Sequence, residues 1–191
     1  MKRFILLIVF VLNACTSKMP ANMQTVDGVD AQQYLGTWYE IARLDHSFER
    51  NLEQVTATYS MREDGGIKVV NRGFNTKKNK WSEAEGKAYF TEPAHKDGTY
   101  LGKLEVSFFG PIYGPYNIIA LDKIYYNYAL VTSGKDYLWI LSRTPQLTYP
   151  IKQELMAQAK ALGYPTENLI FVKQANQVEY ESGRHVVPPH N

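Results

Sequence analysis

Cysteine is nearly absent from this chain, with one Cys among 191 residues. A single Cys cannot form an internal disulfide, so the fold must be held together by its core. Long apolar runs are also lacking. The N-terminal run from Phe4 to Leu12 has nine residues, which is too short for a helix to span a bilayer. These two absences exclude a disulfide-stabilised scaffold, and they exclude a membrane anchor in which residues 4–12 form a transmembrane helix.

The motifs of common enzyme classes are missing as well. The sequence contains no G-x-S-x-G nucleophile motif, no Walker loop and no glycine set for a dinucleotide. None of its four histidines is paired with a cysteine or a carboxylate at the spacing typical of metal ligands. They are His46, His95, His185 and His190. We therefore expect a protein that is not an enzyme and that uses neither a metal nor a cofactor.

Charge of one sign is not in excess. The chain has 21 basic and 19 acidic residues, and removal of a signal peptide containing Lys2 and Arg3 would leave 21 − 2 = 19 basic residues against 19 acidic ones. A neutral balance gives no indication of a nucleic-acid partner.

The N-terminus carries a targeting pattern. Lys2 and Arg3 precede the apolar run, as in a secretory signal peptide, which we place at residues 1–14. Leu12-Asn13-Ala14-Cys15 resembles the bacterial lipobox, which implies lipidation of Cys15. Thr16 replaces the Asp that would retain a lipoprotein in the inner membrane, so the resemblance favours the outer membrane, on its periplasmic face.

The rest of the chain divides into three parts. We predict a lipidated N-terminus and tether at 15–33, a folded domain at 34–174 and a flexible tail at 175–191. Alternating apolar residues between turn signals predict eight strands in the domain, at 36–45, 52–63, 66–75, 80–91, 100–108, 116–122, 127–134 and 136–143. A helical period then predicts a helix from Tyr149 to Tyr164, followed by a short strand at 168–173. Eight sequential strands favour an all-β sandwich or an up-and-down barrel.

One end of such a barrel can be assembled from the sequence. Strand directions alternate in a meander, so the start of the first strand and the end of the eighth lie together. Trp38 and Arg143 occupy these positions, and we predict that the guanidinium stacks on the indole. Glu40 shares the face of Trp38 and should be buried, but the sequence does not identify the partner that a buried carboxylate needs.

Three regions carry a family resemblance. Gly36-x-Trp38, the turn from Asp122 to Tyr125-Tyr126, and Arg143 after an aromatic strand resemble the signature regions of the lipocalins, in order. The stretches YLGTWYEIARLDHSFE, EGKAYF, SFFGPIYGPYNIIALD and YLWILSRTP are similar to the sequences of bacterial outer-membrane lipocalin lipoproteins, which are apolipoprotein D-like. The resemblance covers residues 34 to 174 and implies an eight-stranded antiparallel up-and-down barrel with one C-terminal α-helix and a short ninth strand. It implies a structural role in barrel closure for Gly36, Trp38, Asp122, Tyr125 and Arg143.

The opposite, open end should form a mouth, for which we predict Lys77, Lys78, Lys80, Tyr113 and Tyr116. Aromatic and basic residues together suit an amphiphile with an anionic head, although a solvated loop beside an aromatic lid gives the same pattern. Period-two alternation predicts inward residues that leave an apolar ligand cavity: Ala42, Val55, Ala57, Tyr59, Ala88, Phe90, Val106, Phe108, Ala129, Val131, Tyr137 and Trp139.

These features predict a carrier of a fatty acid or lysophospholipid, anchored to the outer membrane through Cys15. Two alternatives remain: a structural envelope lipoprotein with a filled barrel, and a lipid-modifying enzyme built on the same barrel. The sequence leaves the oligomeric state open, a homodimer included.

Overall fold

The computed structural model of the protein describes residues 23–175. Within this range the chain forms a short helix, eight sequential strands, a longer helix and a final strand. In chain order these elements are α1 (Ala31–Tyr34), β1 (Gly36–Arg43), β2 (Leu52–Met61), β3 (Ile67–Asn75), β4 (Lys80–Phe90), β5 (Lys103–Phe109), β6 (Ile112–Leu121), β7 (Tyr128–Ser133), β8 (Tyr137–Ser142), α2 (Tyr149–Ala161) and β9 (Ile170–Phe171).

The first eight strands form a closed barrel. Each pairs antiparallel with its neighbour in sequence, and β1 pairs with both β2 and β8, which closes the sheet on itself. The short β9 pairs with β1, with Ala42 opposite Phe171. The predicted all-β barrel with one C-terminal helix and a ninth strand is therefore confirmed.

Alternation along the strands creates two separate cores. Inward side chains such as Trp38, Ile118 and Val131 fill part of the barrel interior. Outward side chains of β8, including Leu138 and Ile140, pack against α2. Pro150 lies in the first turn of α2, where its missing N–H costs no hydrogen bond. The helix thus covers one side of the barrel wall and leaves the interior free.

Most strand boundaries lie within two residues of the sequence prediction, but two strands begin three or four residues away from it. Strand β6 begins at Ile112 instead of residue 116, because the link from β5 is a tight turn in which Phe109 pairs with Ile112 and Gly110 takes a φ of 57°. Strand β5 begins at Lys103 instead of residue 100, because the backbone of Tyr100 pairs with Val29.

The segment 23–33, predicted as part of a tether, packs on the barrel. Met23 and Val29 are buried, and the Asp30 carboxylate accepts hydrogen bonds from the first turn of α1. The apolar residues of segment 23–33 are too few and too irregularly spaced to show the period of a strand or a helix.

The predicted signal peptide and Cys15, and the tail after residue 175, lie outside the described residues. Between residues 23 and 175 no helix has the length and hydropathy to cross a membrane.

Candidate functional site

The closed end of the barrel is organised around Trp38 and Arg143. The Arg143 guanidinium carbon lies 3.9 Å from the centre of the Trp38 ring, and the indole is fully buried. The guanidinium also donates hydrogen bonds to the carbonyls of Gln33, Thr37 and Tyr126. Burial lowers the pKa of Arg143 from its ordinary value, but a guanidinium remains charged at neutral pH. One side chain thus contacts three backbone segments at this end.

Gly36 fits this arrangement through its backbone conformation. Its φ is 91°, a conformation that residues with a Cβ rarely adopt. A Cβ at this position would lie 3.4 Å from Nη1 of Arg143, an ordinary van der Waals contact. The glycine of the Gly-x-Trp pattern therefore provides the turn into β1.

The β6–β7 turn corrects one predicted closure residue. Asp122 accepts hydrogen bonds from the backbone N–H groups of Ile124, Tyr125 and Asn127, as expected for a turn-forming aspartate. Tyr125, however, points into solvent. The buried ring at this position belongs to Tyr126, whose hydroxyl accepts a hydrogen bond from the N–H of Asp30. Sequence alone could not separate these adjacent tyrosines.

The barrel contains a cavity of about 430 Å³, within the size range of small-molecule sites. Its wall is mostly apolar and combines small residues with large aromatic ones. Nine of the twelve predicted inward residues line it: Val55, Ala57, Tyr59, Ala88, Val106, Phe108, Val131, Tyr137 and Trp139.

Ala42 was placed on the wrong face by simple alternation. The pairing between β1 and β8 shifts register between Glu40 and Ala42, and this bulge reverses the direction of the following side chains. Ala42 consequently packs in the outer core with Leu155 and Ala159. Arg43 takes the buried position on the opposite face. The other two residues outside the cavity wall, Phe90 and Ala129, pack in the interior core.

Three tyrosine hydroxyls form a polar group in the cavity wall. The Tyr116 hydroxyl lies 2.7 Å from that of Tyr34 and 2.9 Å from that of Tyr59. Burial raises the pKa of all three phenols, that of Tyr59 to about 12. The hydroxyls therefore stay neutral at physiological pH. Tyr116 was predicted at the mouth, but it lies in the interior because β6 begins four residues earlier than expected.

The other predicted mouth residues divide between two surfaces. Lys77 and Lys78 are exposed in the β3–β4 turn, and Lys80 is exposed at the start of β4. Tyr113 instead lies on the outer wall, where its ring neighbours Tyr89 and Lys87. The lysines are thus exposed at the open end, whereas Tyr113 does not line the cavity.

Beneath the mouth lies a buried charge cluster that the sequence did not reveal, formed by Glu40, Arg43, His46 and Glu49. Arg43 Nη1 donates to Glu40 Oε1 at 2.7 Å, and Nη2 donates to the Glu49 carbonyl at 2.8 Å. His46 Nε2 lies 3.0 Å from Glu49 Oε2. The indole N–H of Trp139 donates to the same carboxylate oxygen at 3.2 Å. Glu40, whose partner was unknown, therefore pairs with Arg43.

The two carboxyl groups of this cluster titrate in opposite directions. Burial, followed by the negative charge of Glu49, raises the pKa of Glu40 well above its ordinary 4.5 despite the opposing effect of Arg43. Burial also acts to raise the pKa of Glu49, but the adjacent His46 imidazole and the hydrogen bond from Trp139 outweigh it, so the pKa of Glu49 is lowered. The cluster thus contains two carboxyl groups of unlike acidity, with the pKa of Glu40 raised and that of Glu49 lowered.

The histidine of the cluster packs within the loop that carries it. His46 lies beside Glu49 and stacks on Phe48, with ring centres 3.9 Å apart, while the neighbouring Ser47 is exposed. Residues 23–175 contain no group of three or more His, Cys, Asp or Glu residues arranged to hold a metal ion.

Comparisons with known proteins agree with the fold and the location. The profile of the lipocalin-like domain matches residues 29–174. The chain is 50% identical over 166 residues to the outer membrane lipoprotein Blc of Escherichia coli K12, covering 86% of this chain and 91% of the relative. The Vibrio cholerae protein of the same name is 48% identical over 172 residues, covering 90% and 97%. These relatives confirm the outer-membrane location predicted from the lipobox.

More distant proteins share the barrel. Rat apolipoprotein D is 38% identical over 133 residues, covering 63% of this chain and 64% of the relative. The solved structure of insecticyanin from the tobacco hornworm superposes with a TM-score of 0.65 at 21% identity, covering 84% of this chain and 88% of that one. At that identity the likeness shows the fold alone. Together, the family match over most of the chain and the relatives at half identity show that the chain belongs to the lipocalin family.

Proposed function

We propose that the protein binds an amphiphile with a single acyl chain, such as a fatty acid or a lysophospholipid, and carries it at the outer membrane. The observation that carries this proposal is the mostly apolar cavity of about 430 Å³ inside the barrel. An acyl chain bound there would bury its methylene groups against Val106, Phe108 and Trp139, at about 0.8 kcal/mol for each methylene before ordering costs.

The charges around the cavity favour entry with the tail first. The interior contains the ionised Glu49, which would repel an anionic head, and Arg43 is already engaged by Glu40 and the Glu49 carbonyl. The exposed Lys77, Lys78 and Lys80 instead lie at the open end. We infer that the tail occupies the cavity and the anionic head remains at the mouth.

Native mass spectrometry of the protein purified from its host tests this proposal. We expect a bound species with the mass of one lipid, which lipid extraction would then identify. We also expect the intact chain to carry the added mass of acyl groups at Cys15. A barrel that carries no lipid and takes up neither added oleate nor added lysophosphatidylethanolamine would contradict the carrier function and favour a purely structural lipoprotein.

A further inference from the structure

The open end of the barrel presents an apolar rim to solvent. Phe48 on the β1–β2 loop and Phe109 and Ile112 on the β5–β6 hairpin are 61%, 81% and 75% exposed, respectively. All three also border the cavity. We call these residues the mouth rim. Large apolar side chains grouped around an opening, in contrast to single ones scattered over a surface, mark an interaction site.

The polar residues at the same end leave an excess of positive charge. Asp45 is paired with Arg50 at 2.7 Å, and Glu49 is buried in the charge cluster. Lys135 and Asp136 are adjacent in the β7–β8 turn and offset one another. Lys77, Lys78 and Lys80 remain as exposed cations at the same end of the barrel as the mouth rim. An apolar patch flanked by lysines is complementary to a bilayer that contains anionic lipid.

The described chain begins near this end of the barrel. The Tyr164 hydroxyl lies 3.7 Å from Met23 Sδ and donates to the carbonyl of Gly134, in the β7–β8 turn. From Met23 the chain runs along the wall toward the closed end, where the backbone of Val29 pairs with Tyr100. Met23 is therefore held close to the mouth.

The length of chain before Met23 limits where an anchor can lie. Cys15 and Met23 are separated by 23 − 15 = 8 residues, which reach about 29 Å when fully extended. A ten-residue strand such as β2 (Leu52–Met61) is about 33 Å long, and strand tilt reduces the height of the barrel to about 25 Å. The tether would have to be almost fully stretched to bring the closed end onto the membrane, whereas the mouth can reach it without strain.

We propose that the mouth rim and the three lysines dock on the bilayer in which Cys15 is anchored, so that the barrel opens toward the lipid surface. This inference rests on the proposed carrier function and on the proposed lipidation of Cys15. In this orientation an acyl chain passes between the bilayer and the cavity while remaining shielded from water by the rim. The orientation thus gives the mouth rim a role in loading and release that is separate from holding the ligand.

The closed end offers a matched control, because Ile124 and Tyr125 are 74% and 75% exposed there. We would label Phe109→Cys and Tyr125→Cys, each in the full lipidated chain, with an environment-sensitive fluorophore. The chains would be reconstituted into vesicles of phosphatidylethanolamine and phosphatidylglycerol that contain a headgroup-linked nitroxide lipid. We expect quenching at the Phe109 site to be severalfold greater than at the Tyr125 site. Equal quenching, stronger quenching at Tyr125, or none at either site overturns the proposal.

Three further measurements separate the possible reasons for failure of the docking experiment. Replacing Lys77, Lys78 and Lys80 with Gln should reduce quenching at the Phe109 site, and 1 M salt should remove this difference because it screens exposed charges. Self-quenching between labelled copies, without quenching by lipid, would assign the mouth rim to a second copy and overturn membrane docking. Co-purified lipid in a protein that shows no docking would refute the orientation alone, whereas an empty barrel would refute the carrier function whatever the orientation.

Discussion

Arg143 illustrates how one residue can fix a whole end of the barrel. Its guanidinium stacks on Trp38 and donates to carbonyls before β1, within β1 and in the β6–β7 turn. Three of its contacts are therefore to backbone and one is to a side chain. These contacts predict how much each partner contributes to stability.

We expect Trp38→Ala to lower the free energy of unfolding by about 3–5 kcal/mol, because truncating a buried Trp removes a large contact area and leaves a cavity. Arg143→Ala should cost about 1–3 kcal/mol through the loss of three hydrogen bonds. The double variant should cost less than the sum by about 0.5–2 kcal/mol, the energy of the stacked pair. Urea denaturation of the four proteins measures this cycle, and strict additivity would contradict the stacking energy. Arg143→Lys is the control that keeps a cation while removing the planar fork of donors.

For Glu40 we predict that replacement does not destabilise the protein, in contrast to Trp38 and Arg143. Its pKa is raised above 4.5 in the folded state, so folding favours the protonated form, and the protein should lose stability as pH rises from about 4.5 through the folded-state pKa. Glu40→Gln mimics the neutral group and should remove this loss, which makes the variant at least as stable as the wild type at neutral pH. Denaturation at several pH values measures the effect, with the exposed Glu83→Gln as control. A Glu40→Gln variant that is less stable than the wild type at neutral pH would show that the carboxylate is ionised.

At the scale of elements, the strands were predictable and the local irregularities were not. Alternation gave eight strands in the correct order because the two faces of each strand meet different environments. The bulge in β1 depends on its register with β8, which the sequence of β1 alone does not contain. Arg43 therefore could not be assigned to the interior, and neither could its partner Glu49, since polar residues in a loop are usually solvated.

The β1–β2 loop, residues 44–51, is the element that these buried charges hold in place. Glu49 accepts from Trp139 on β8 and contacts His46 and Arg43. Its folded-state pKa is lowered, so its stabilising contribution is present above the unfolded-state value, ordinarily 4.5, and is lost as pH falls through the folded-state pKa. The loop should consequently loosen in acid.

Hydrogen exchange of residues 44–51 tests this anchoring. We expect Glu49→Gln to exchange faster than the wild type at neutral pH, because the neutral amide attracts Arg43 and His46 less strongly. The β3–β4 turn, residues 76–79, provides an internal control that should not change. Equal exchange rates in the loop of both proteins would show that the carboxylate charge does not hold it.

At the scale of the whole molecule, the closed end and the cavity divide the barrel into a rigid part and a binding part. The closed end is packed by aromatic rings and tied by Arg143. The cavity wall includes small residues such as Ala57, which lies opposite Trp38 on the neighbouring strand, and Ala84. Space for a ligand therefore depends on the volume of a few side chains near the middle of the barrel, which makes the capacity of the cavity adjustable by single substitutions.

This division predicts how affinity depends on the ligand. Each methylene that enters the cavity should add roughly 0.8 kcal/mol before ordering costs, so affinity should rise with acyl-chain length and level off once the cavity is full. Ala57→Trp fills part of the cavity and should move that plateau to shorter chains. Ser60→Trp adds the same side chain at an exposed position on the same strand and should leave the plateau unchanged. Displacement of a fluorescent fatty acid by a series of saturated fatty acids gives the two curves, with circular dichroism to check the fold. If folded Ala57→Trp binds long chains as tightly as Ser60→Trp does, the ligand does not occupy the barrel and the carrier mechanism fails.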